Sequence, residues 1–257
     1  MSLVPLPPPL ITFLVPYLPQ NRPDRPFVTL TWAQSLDARI AAAPGTQTKI
    51  SHPETKTMTH YLRACHDAIL VGVGTVLADD PKLTCRYGNF SKIRPVVVDP
   101  NCRWEYSKST IACLCEQHTA LAPIILISDD VVPPSEENAL LLKHGGLYRA
   151  VSLDASPEHN WGTILAQIHA CGLASVMIEG GATVINSMLP LCDLVDSVIV
   201  TVGPVFLGEN GVDVAPSVLV SLRDVSWWTG ERDSVMAARL LDPETSEEQE
   251  AKTNLAD

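Results

Sequence analysis

The sequence lacks the paired cysteines that build zinc sites and disulfide frameworks. Its seven cysteines are odd in number and form no CxxC pair, and only the CLC run at residues 113–115 brings two of them close together. No second pair is near enough to complete a tetrahedral site, and no histidine has metal-ligand spacing. We therefore expect no bound metal, and reduced thiols that pack as small apolar side chains in a reducing compartment, the cytoplasm.

Positive charge is also scarce. Eighteen lysines and arginines face 29 acidic residues, which gives a net charge of −11. This balance argues against nucleic acid or an anionic membrane as the main partner. Residues 242–257 carry six acids and one lysine, so we expect a solvated, disordered acidic tail there. The composition still leaves room for a small basic pocket elsewhere.

No apolar run is both long enough and free enough of proline to span a bilayer. Residues 1–26 are apolar but contain eight prolines, and no lysine or arginine precedes the apolar stretch. The prolines between residues 5 and 9 should break any early helix, and the segment makes a poor signal peptide. We expect an extended proline-rich arm that lies on the body of the protein or on a second subunit.

From residue 27 onward, short apolar runs alternate with helical patterns. The runs predict strands at residues 27–33, 68–72, 95–99, 123–127, 147–153 and 175–178. Helices are predicted at residues 51–66, opened by an SHPE capping box, and at 135–144, 160–171 and 182–189. Strands at 196–202, 218–228 and 235–241 then follow without helices between them. We predict one α/β domain, residues 27–241, with a mixed, mostly parallel sheet, helices on both faces and a C-terminal antiparallel β meander.

Two glycine-bearing turns follow predicted strands. The run GVGTVLADDP occupies residues 72–81, and EGGATV occupies residues 179–184 and leads into a helix. Glycine lets a ligand approach the backbone closely, and a helix start offers unpaired N–H groups to a phosphate. The first turn is weak evidence alone, because Leu77 replaces the third glycine of the GxGxxG fingerprint. Together the turns predict a cleft for a phosphorylated ligand such as a dinucleotide.

Charged residues near these turns are candidate functional groups, each with a structural alternative. Glu179 ends a buried strand, where a carboxylate is costly unless paired or used, although it could simply cap the next helix. Asp37 follows the first strand and could relay a proton or satisfy a local turn. Arg63 could clamp a phosphate or form a surface ion pair. No GxSxG elbow is present, so a hydrolase triad has little support.

Five segments in the same order closely resemble the riboflavin-pathway reductase family that acts on 2,5-diamino-6-ribosylamino-4(3H)-pyrimidinone 5′-phosphate, in its stand-alone fungal form. They are residues 29–40 (TLTWAQSLDARI), 50–63 (ISHPETKTMTHYLR), 69–86, 177–184 (MIEGGATV) and 202–208 (VGPVFLG). The resemblance covers about residues 27–241 and leaves out both ends. The HxE and PCxxC zinc ligands of the deaminase that is joined to bacterial relatives are absent, which fits a chain that only reduces.

This resemblance implies a dihydrofolate-reductase-like, three-layer αβα fold, NADPH as cofactor, a homodimer, and reduction of the ribosylamino sugar to a ribitylamino chain. The implied cofactor contacts are Ala33 or Gln34, Thr75, Asp79, Gly180, Gly181, Ala182 and Thr183. The implied substrate contacts are Arg63, Leu83, Arg86 and Glu179, with both arginines near the 5′-phosphate.

Some roles stay open at this point. Asp37 and Glu179 are the candidate catalytic carboxylates, and the sequence does not decide between them. Asn101 and Arg103 are weaker candidates for the 2′-phosphate of the cofactor. The competing functions are a pterin reductase of the same architecture, such as one acting on dihydrofolate, and a nucleotide-binding module without catalytic activity.

Overall fold

A nine-stranded sheet organises the part of the chain that the structure, a computed structural model, describes: residues 3–88 and 93–242. In chain order the strands are β1 (Phe27–Gln34), β2 (Arg39–Ala41), β3 (Ala68–Gly72), β4 (Arg94–Val98), β5 (Ile124–Ser128), β6 (Leu147–Val151), β7 (Ser175–Ile178), β8 (Ser197–Val202), β9 (Val212–Asp213), β10 (Leu222–Thr229) and β11 (Ser234–Leu240). The helices are α1 (Pro8–Leu14), α2 (Pro53–Ala64), α3 (Val73–Asp79), α4 (Thr110–Glu116), α5 (Ser135–Lys143), α6 (Pro157–Ala170) and α7 (Ala182–Met188). None of these helices has the length and apolar character needed to cross a membrane.

The strand order is β10-β11-β8-β1-β7-β3-β4-β5-β6, and β2 and β9 form a separate antiparallel ribbon. Every neighbouring pair from β8 to β6 is parallel, whereas β11 runs antiparallel to both β8 and β10. The predicted mixed, mostly parallel sheet with antiparallel C-terminal strands is confirmed. Because parallel strands point the same way, the C-terminal ends of β8, β1, β7, β3 and β4 share one edge of the sheet.

Helices cover both faces of the sheet. On one face, α6 and α7 bury side chains such as Trp161 and Ile185 against Val28 and Leu30 of β1. On the other face, α1 and α2 pack against Met177 of β7, while α3, α4 and α5 pack against β3, β4 and β5. Side chains alternate between the two faces along each strand, so every strand contributes to both layers of the core. The predicted three-layer αβα arrangement is confirmed.

The N-terminal arm is helical, so the prediction of an extended arm was wrong. Pro8 and Pro9 stand in the first turn of α1 (residues 8–14), where a missing backbone N–H costs nothing. Leu10 and Leu14 are fully buried and Tyr17 is 4% exposed, in a cluster shared with α2, β7, β8 and β11. Arg25 extends this attachment through an ion pair of 2.6 Å with the buried Asp196. The arm therefore lies on the body of the same protein chain.

The predicted capping box is also wrong, because a distant hairpin supplies the cap. Helix α2 begins after His52, and no side chain of its own sequence caps it. Instead, Asp233 between β10 and β11 accepts hydrogen bonds from the backbone N–H of His52 at 2.6 Å and from the hydroxyl of Thr55 at 2.5 Å. Glu54 accepts a bond from the backbone N–H of Glu231. These bonds fix the start of α2 against the antiparallel end of the sheet.

The remaining elements agree with the prediction apart from shifts of a few residues at their ends. Residues 72–81 were predicted as a turn but contain α3, which ends at Asp80 in the left-handed conformation (φ 40°). Helix α4 and the β2–β9 ribbon were not predicted, because such short elements give too few residues to establish a period. The predicted disordered tail, residues 242–257, lies outside the described residues except for Asp242.

Replacing Leu14 with alanine tests the contribution of the arm to the core. Leu14 is 0% exposed to solvent, so its replacement leaves a cavity in the core. We expect the free energy of unfolding to fall by about 2–5 kcal/mol. The adjacent Val15 is 58% exposed, and Val15→Ala should change the free energy by less than about 0.5 kcal/mol. Urea denaturation measures both values, and equal losses in the two variants would show that the arm is not part of the core.

Candidate active site

The two glycine-bearing turns meet at the C-terminal edge of the sheet. Their strands, β3 and β7, are parallel neighbours, so the chain leaves both strands at the same level. The backbone N–H of Gly72 donates to the carbonyl of Gly180 at 3.1 Å, and the N–H of Glu179 donates to the carbonyl of Leu70 at 3.1 Å. The backbone itself therefore ties one turn to the other.

A cleft of about 380 Å³ opens between these turns and the loop at residues 40–46. Five of the predicted cofactor contacts line it: Thr75, Asp79, Gly181, Ala182 and Thr183. Gly180 directly precedes Gly181 of this lining and has φ +111°, a conformation that residues with a side chain rarely adopt. The volume is in the range of ordinary small-molecule sites.

Glycine is required where the two turns approach each other. A Cβ atom at position 181 would lie 3.2 Å from the hydroxyl oxygen of Thr75, and one at position 72 would lie 3.1 Å from a methyl group of Val184. Both contacts are tighter than ordinary van der Waals packing. The missing side chain at Gly181 therefore leaves open space beside Thr75, inside the cleft.

Arg63 forms an ion pair with Glu179, which stands two residues before Gly181 of the cleft lining. Arg63 comes from the last turn of α2 and donates from Nε and Nη2 to the two carboxylate oxygens of Glu179, each at 2.6 Å. Its Nη1 donates to the carbonyl of Thr84 at 2.7 Å. Burial tends to lower the pKa of Arg63, but the charge and hydrogen bonds of Glu179 outweigh it and raise that pKa above its ordinary value. The bidentate edge of Arg63 is therefore committed to Glu179, and Arg63 is a permanent cation.

Asp37 is held in a different set of contacts. Its carboxylate accepts hydrogen bonds from the hydroxyl of Ser35 at 2.5 Å and from the backbone N–H groups of Leu207 and Gly208 at 3.0 and 2.8 Å. The Ser35 bond is the largest of the influences that lower the pKa of Asp37 to about 2. Asp37 thus fixes the loop that follows β8, and it is ionised at neutral pH.

A second cleft, of about 390 Å³, opens on the other side of the same loop region and is lined by residues 47–51 and by α2. Three cationic side chains line it, Lys49, Lys56 and Arg63, together with His60. We call it the basic cleft. The sequence analysis allowed such a pocket and named Arg63 as a phosphate contact, but it did not name Lys49, Lys56 or His60. The sequence feature that could have indicated this cleft is the spacing of Lys56, His60 and Arg63, which places all three on one face of a helix.

Arg86 lies beside the basic cleft. Its guanidinium Nε and Nη2 are 3.1 and 2.8 Å from Nε2 of His60. His60 is 6% exposed, and burial is the largest influence that lowers its pKa to about 3, followed by the charges of Arg63, Arg86 and Lys56. His60 is therefore neutral at physiological pH and able to accept from Arg86.

Other predicted contacts lie around the two clefts. The end of β1, residues 31–34 with Ala33 and Gln34, extends beyond its last pairing with β7, so only β8 pairs with it in the described chain. Leu83 is 3% exposed with φ +48° and lines neither cleft. Asn101 and Arg103 are exposed beyond β4 and line neither cleft.

Comparison with known proteins agrees with the resemblance seen in the sequence. Residues 26–236 match the RibD C-terminal domain family. The 2,5-diamino-6-ribosylamino-4(3H)-pyrimidinone 5′-phosphate reductase of Debaryomyces hansenii is 52% identical over 246 residues, which cover 93% of this chain and 100% of that protein. The reductase of the same name from Saccharomyces cerevisiae is 42% identical over 250 residues, 94% of this chain and 100% of that protein.

Solved structures give the same relationship. The structure of the Saccharomyces cerevisiae riboflavin biosynthesis reductase Rib7 superposes with a TM-score of 0.77 at 38% identity and covers 90% of this chain and 99% of that one. RibD of Acinetobacter baumannii, at 22% identity and a TM-score of 0.68, covers 86% of this chain and 59% of that one and shares the fold. The family prediction is confirmed, and the chain belongs to the RibD C-terminal domain family of riboflavin-biosynthesis reductases.

Proposed function

We propose that this chain is an NADPH-dependent oxidoreductase that reduces the ribosylamino side chain of 2,5-diamino-6-ribosylamino-4(3H)-pyrimidinone 5′-phosphate to the ribitylamino form in riboflavin biosynthesis. Relatives that match nearly the whole chain are named as reductases of this compound. The observation that carries the proposal is the pair of clefts, one lined by glycine turns and one by cations, which the Arg63–Glu179 ion pair connects: Arg63 lines the basic cleft, and Glu179 directly precedes the second glycine turn. Such a pair suits a dinucleotide next to a sugar phosphate.

Measuring NADPH oxidation with separate substrates tests this assignment. We expect turnover with the ribosylamino-pyrimidine phosphate and none with dihydrofolate, because the basic cleft fits a phosphate that dihydrofolate lacks at that place. Turnover with dihydrofolate alone would instead indicate a pterin reductase. Tight NADPH binding without turnover on any pyrimidine would indicate a nucleotide-binding module.

The glycine-lined cleft has the features that a nicotinamide dinucleotide needs. The open backbone at Gly181 and the hydroxyl of Thr75 fit a pyrophosphate, and the carboxylate of Asp79 fits ribose hydroxyls. The backbone of Ala33 or Gln34, beyond the end of β7, fits a carboxamide. Bound NADPH supplies a hydride, while the protein supplies its alignment with the substrate and excludes water.

Replacing Gly181 with alanine should weaken NADPH binding. The added Cβ would approach the hydroxyl of Thr75 to 3.2 Å and fill the space proposed for the pyrophosphate. We expect the dissociation constant, measured by calorimetry, to rise tenfold or more, about 1.4 kcal/mol. Gly162→Ala is the matched control, because a Cβ there meets nothing within 4 Å. Unchanged NADPH affinity in the Gly181 variant would place the pyrophosphate elsewhere.

The basic cleft is proposed to bind the 5′-phosphate of the substrate. Lys49 and Lys56 line it directly, and Arg86 stands beside His60 at its wall. Arg63 serves the substrate site mainly by orienting Glu179, since its bidentate edge is already occupied. The phosphate then fixes the sugar so that its C1′ faces the cofactor cleft.

Proton transfer accompanies the reduction at C1′. We propose that the furanose ring opens to an imine, that C1′ accepts the hydride, and that the amine nitrogen then gains a proton. Glu179 is the better placed carboxylate, because it is two residues from Gly181 of the glycine-lined cleft and is paired with Arg63 of the basic cleft. Asp37 instead holds Leu207 and Gly208, and its pKa of about 2 makes it a poor proton donor. We therefore assign proton transfer to Glu179 and loop positioning to Asp37.

Replacing Glu179 with glutamine should lower turnover far more than cofactor binding. Glutamine retains the shape and one hydrogen-bonding oxygen for Arg63, but its amide is not a general acid or base and does not exchange a proton with the substrate. We expect kcat to fall by about 10²–10⁴-fold, with the NADPH dissociation constant within about threefold. An unchanged kcat would remove Glu179 from the mechanism. A larger loss in Asp37→Asn with the loop still ordered would transfer the role to Asp37.

We also propose a homodimer that uses the outer edge of β10. This strand ends the sheet, and in the described chain no other strand pairs with its outer side. Most of its residues are exposed, including Val225 at 46% and Trp227 at 59%. Unpaired edges with large apolar side chains are favourable surfaces for strand or side-chain pairing between copies.

Trp227→Lys should therefore shift the protein from dimer to monomer. The change places a charge in the proposed interface and disfavours strand pairing there. Sedimentation velocity at micromolar concentration measures the change in mass. Leu142→Lys is the control, since Leu142 is similarly exposed at 56% but lies on α5, at the other end of the sheet. A stable dimer in the Trp227 variant would exclude this edge.

The cytoplasm is the proposed location of the reaction. All seven cysteines are free thiols, and the four with raised pKa values, Cys65, Cys102, Cys115 and Cys192, owe the increase mainly to burial. Free thiols persist where glutathione and thioredoxin keep proteins reduced.

A further inference from the structure

Three consecutive residues bind the segment after α3 to the side of α2. The carbonyl of Thr84 accepts from Arg63 at 2.7 Å, and the thiol of Cys85 donates to the carbonyl of His60 at 3.0 Å. The side chain of Arg86 then contacts the imidazole of the same His60. Backbone and side-chain contacts therefore converge on His60, a residue that the proposed mechanism does not use.

The direction of these hydrogen bonds fixes the state of His60. A guanidinium group only donates, so Nε2 of His60 accepts from the side chain of Arg86, while the backbone N–H of Arg86 lies 3.3 Å from Nδ1. A neutral ring has one lone pair for these donors, and the shorter contact of 2.8 Å assigns it to Nε2. A protonated imidazole has no lone pair and would repel the three cations around it, Lys56, Arg63 and Arg86. The buried, neutral ring is thus a built acceptor for one edge of Arg86.

We propose that His60 is a positioning residue that orients Arg86 for recognition of the substrate phosphate, an inference that rests on the proposed function. Arg86 is a long, exposed side chain, and without a fixed partner it would lose considerable rotamer freedom on binding a phosphate. Holding its Nε–Nη2 edge against His60 orders the guanidinium plane before the ligand arrives. Preorganisation of this kind increases affinity without adding a contact to the ligand.

Calorimetric titration with ribose 5-phosphate tests this role without depending on turnover. The wild-type protein should bind ribose 5-phosphate, and His60→Leu should weaken that binding about tenfold, because leucine fills the space but does not accept from Arg86. His60→Gln should recover most of the affinity, since its amide oxygen can accept from Arg86. NADPH affinity and the thermal midpoint should stay near wild type in both variants.

A double substitution separates positioning from simple packing. If His60 acts through Arg86, His60→Leu should cause little further loss of ribose 5-phosphate affinity in an Arg86→Met background. Additive losses, failure of His60→Gln to recover affinity, or equal weakening of ribose 5-phosphate and NADPH would overturn the proposal, as would absence of ribose 5-phosphate binding to the wild type. A different result would contradict the proposed function itself: the wild-type protein would bind both ribose 5-phosphate and NADPH but would not turn over the pyrimidine substrate.

Discussion

The ion pair between Arg63 and Glu179 is the interaction on which the site depends. It joins the last turn of α2 to the end of β7 through two hydrogen bonds of 2.6 Å, and a third bond extends from Arg63 to Thr84. The side chains of Arg63 and Glu179 are only 15% and 17% exposed, so an unpaired charge at either position would reduce the stability of the fold. Removing one partner of a fully buried pair costs about 3–5 kcal/mol, and a somewhat smaller loss is expected here because water still reaches both groups. The pair thus fixes α2, which lines the basic cleft, against the strand that leads into the second glycine turn.

The edge of the sheet, helix α2 and the chain at residues 40–51 together form the two clefts. Parallel pairing of β1, β7 and β3 brings three strand ends to one edge, where open α/β sheets usually bind ligands. The backbone bond from Gly72 to Gly180 then joins the two turns, and Asp37 fixes the loop after β8. Strand register therefore sets the position of the two glycine turns, while Lys49 and the charged side chains of α2 make the other cleft basic.

The sequence predicted the features that local patterns encode. Apolar runs located the sheet strands, and glycine at strand ends located the glycine-lined cleft. Contacts between segments that are distant in the sequence could not be predicted from local patterns. Asp233 caps α2 from a hairpin about 180 residues away in sequence. The buried contacts of Leu10 and Leu14 stabilise a helix in a proline-rich arm. The same limit explains Arg63, whose ion-pair and phosphate-binding roles could not be separated until Glu179 was placed beside it. Lys49 and His60 were missed because the basic cleft exists only once α2 and the preceding loop are folded together.

The most direct test of this account is a crystal structure of the protein with NADP⁺ and ribose 5-phosphate. The account predicts the pyrophosphate against residues 72–75 and 180–183, the nicotinamide beside residues 31–34, and the sugar phosphate in the basic cleft near Lys49, Lys56 and Arg86. Glu179 should remain paired with Arg63 between the two ligands. A dinucleotide bound away from the joined glycine turns, or a sugar phosphate on the opposite side of the sheet, would contradict it.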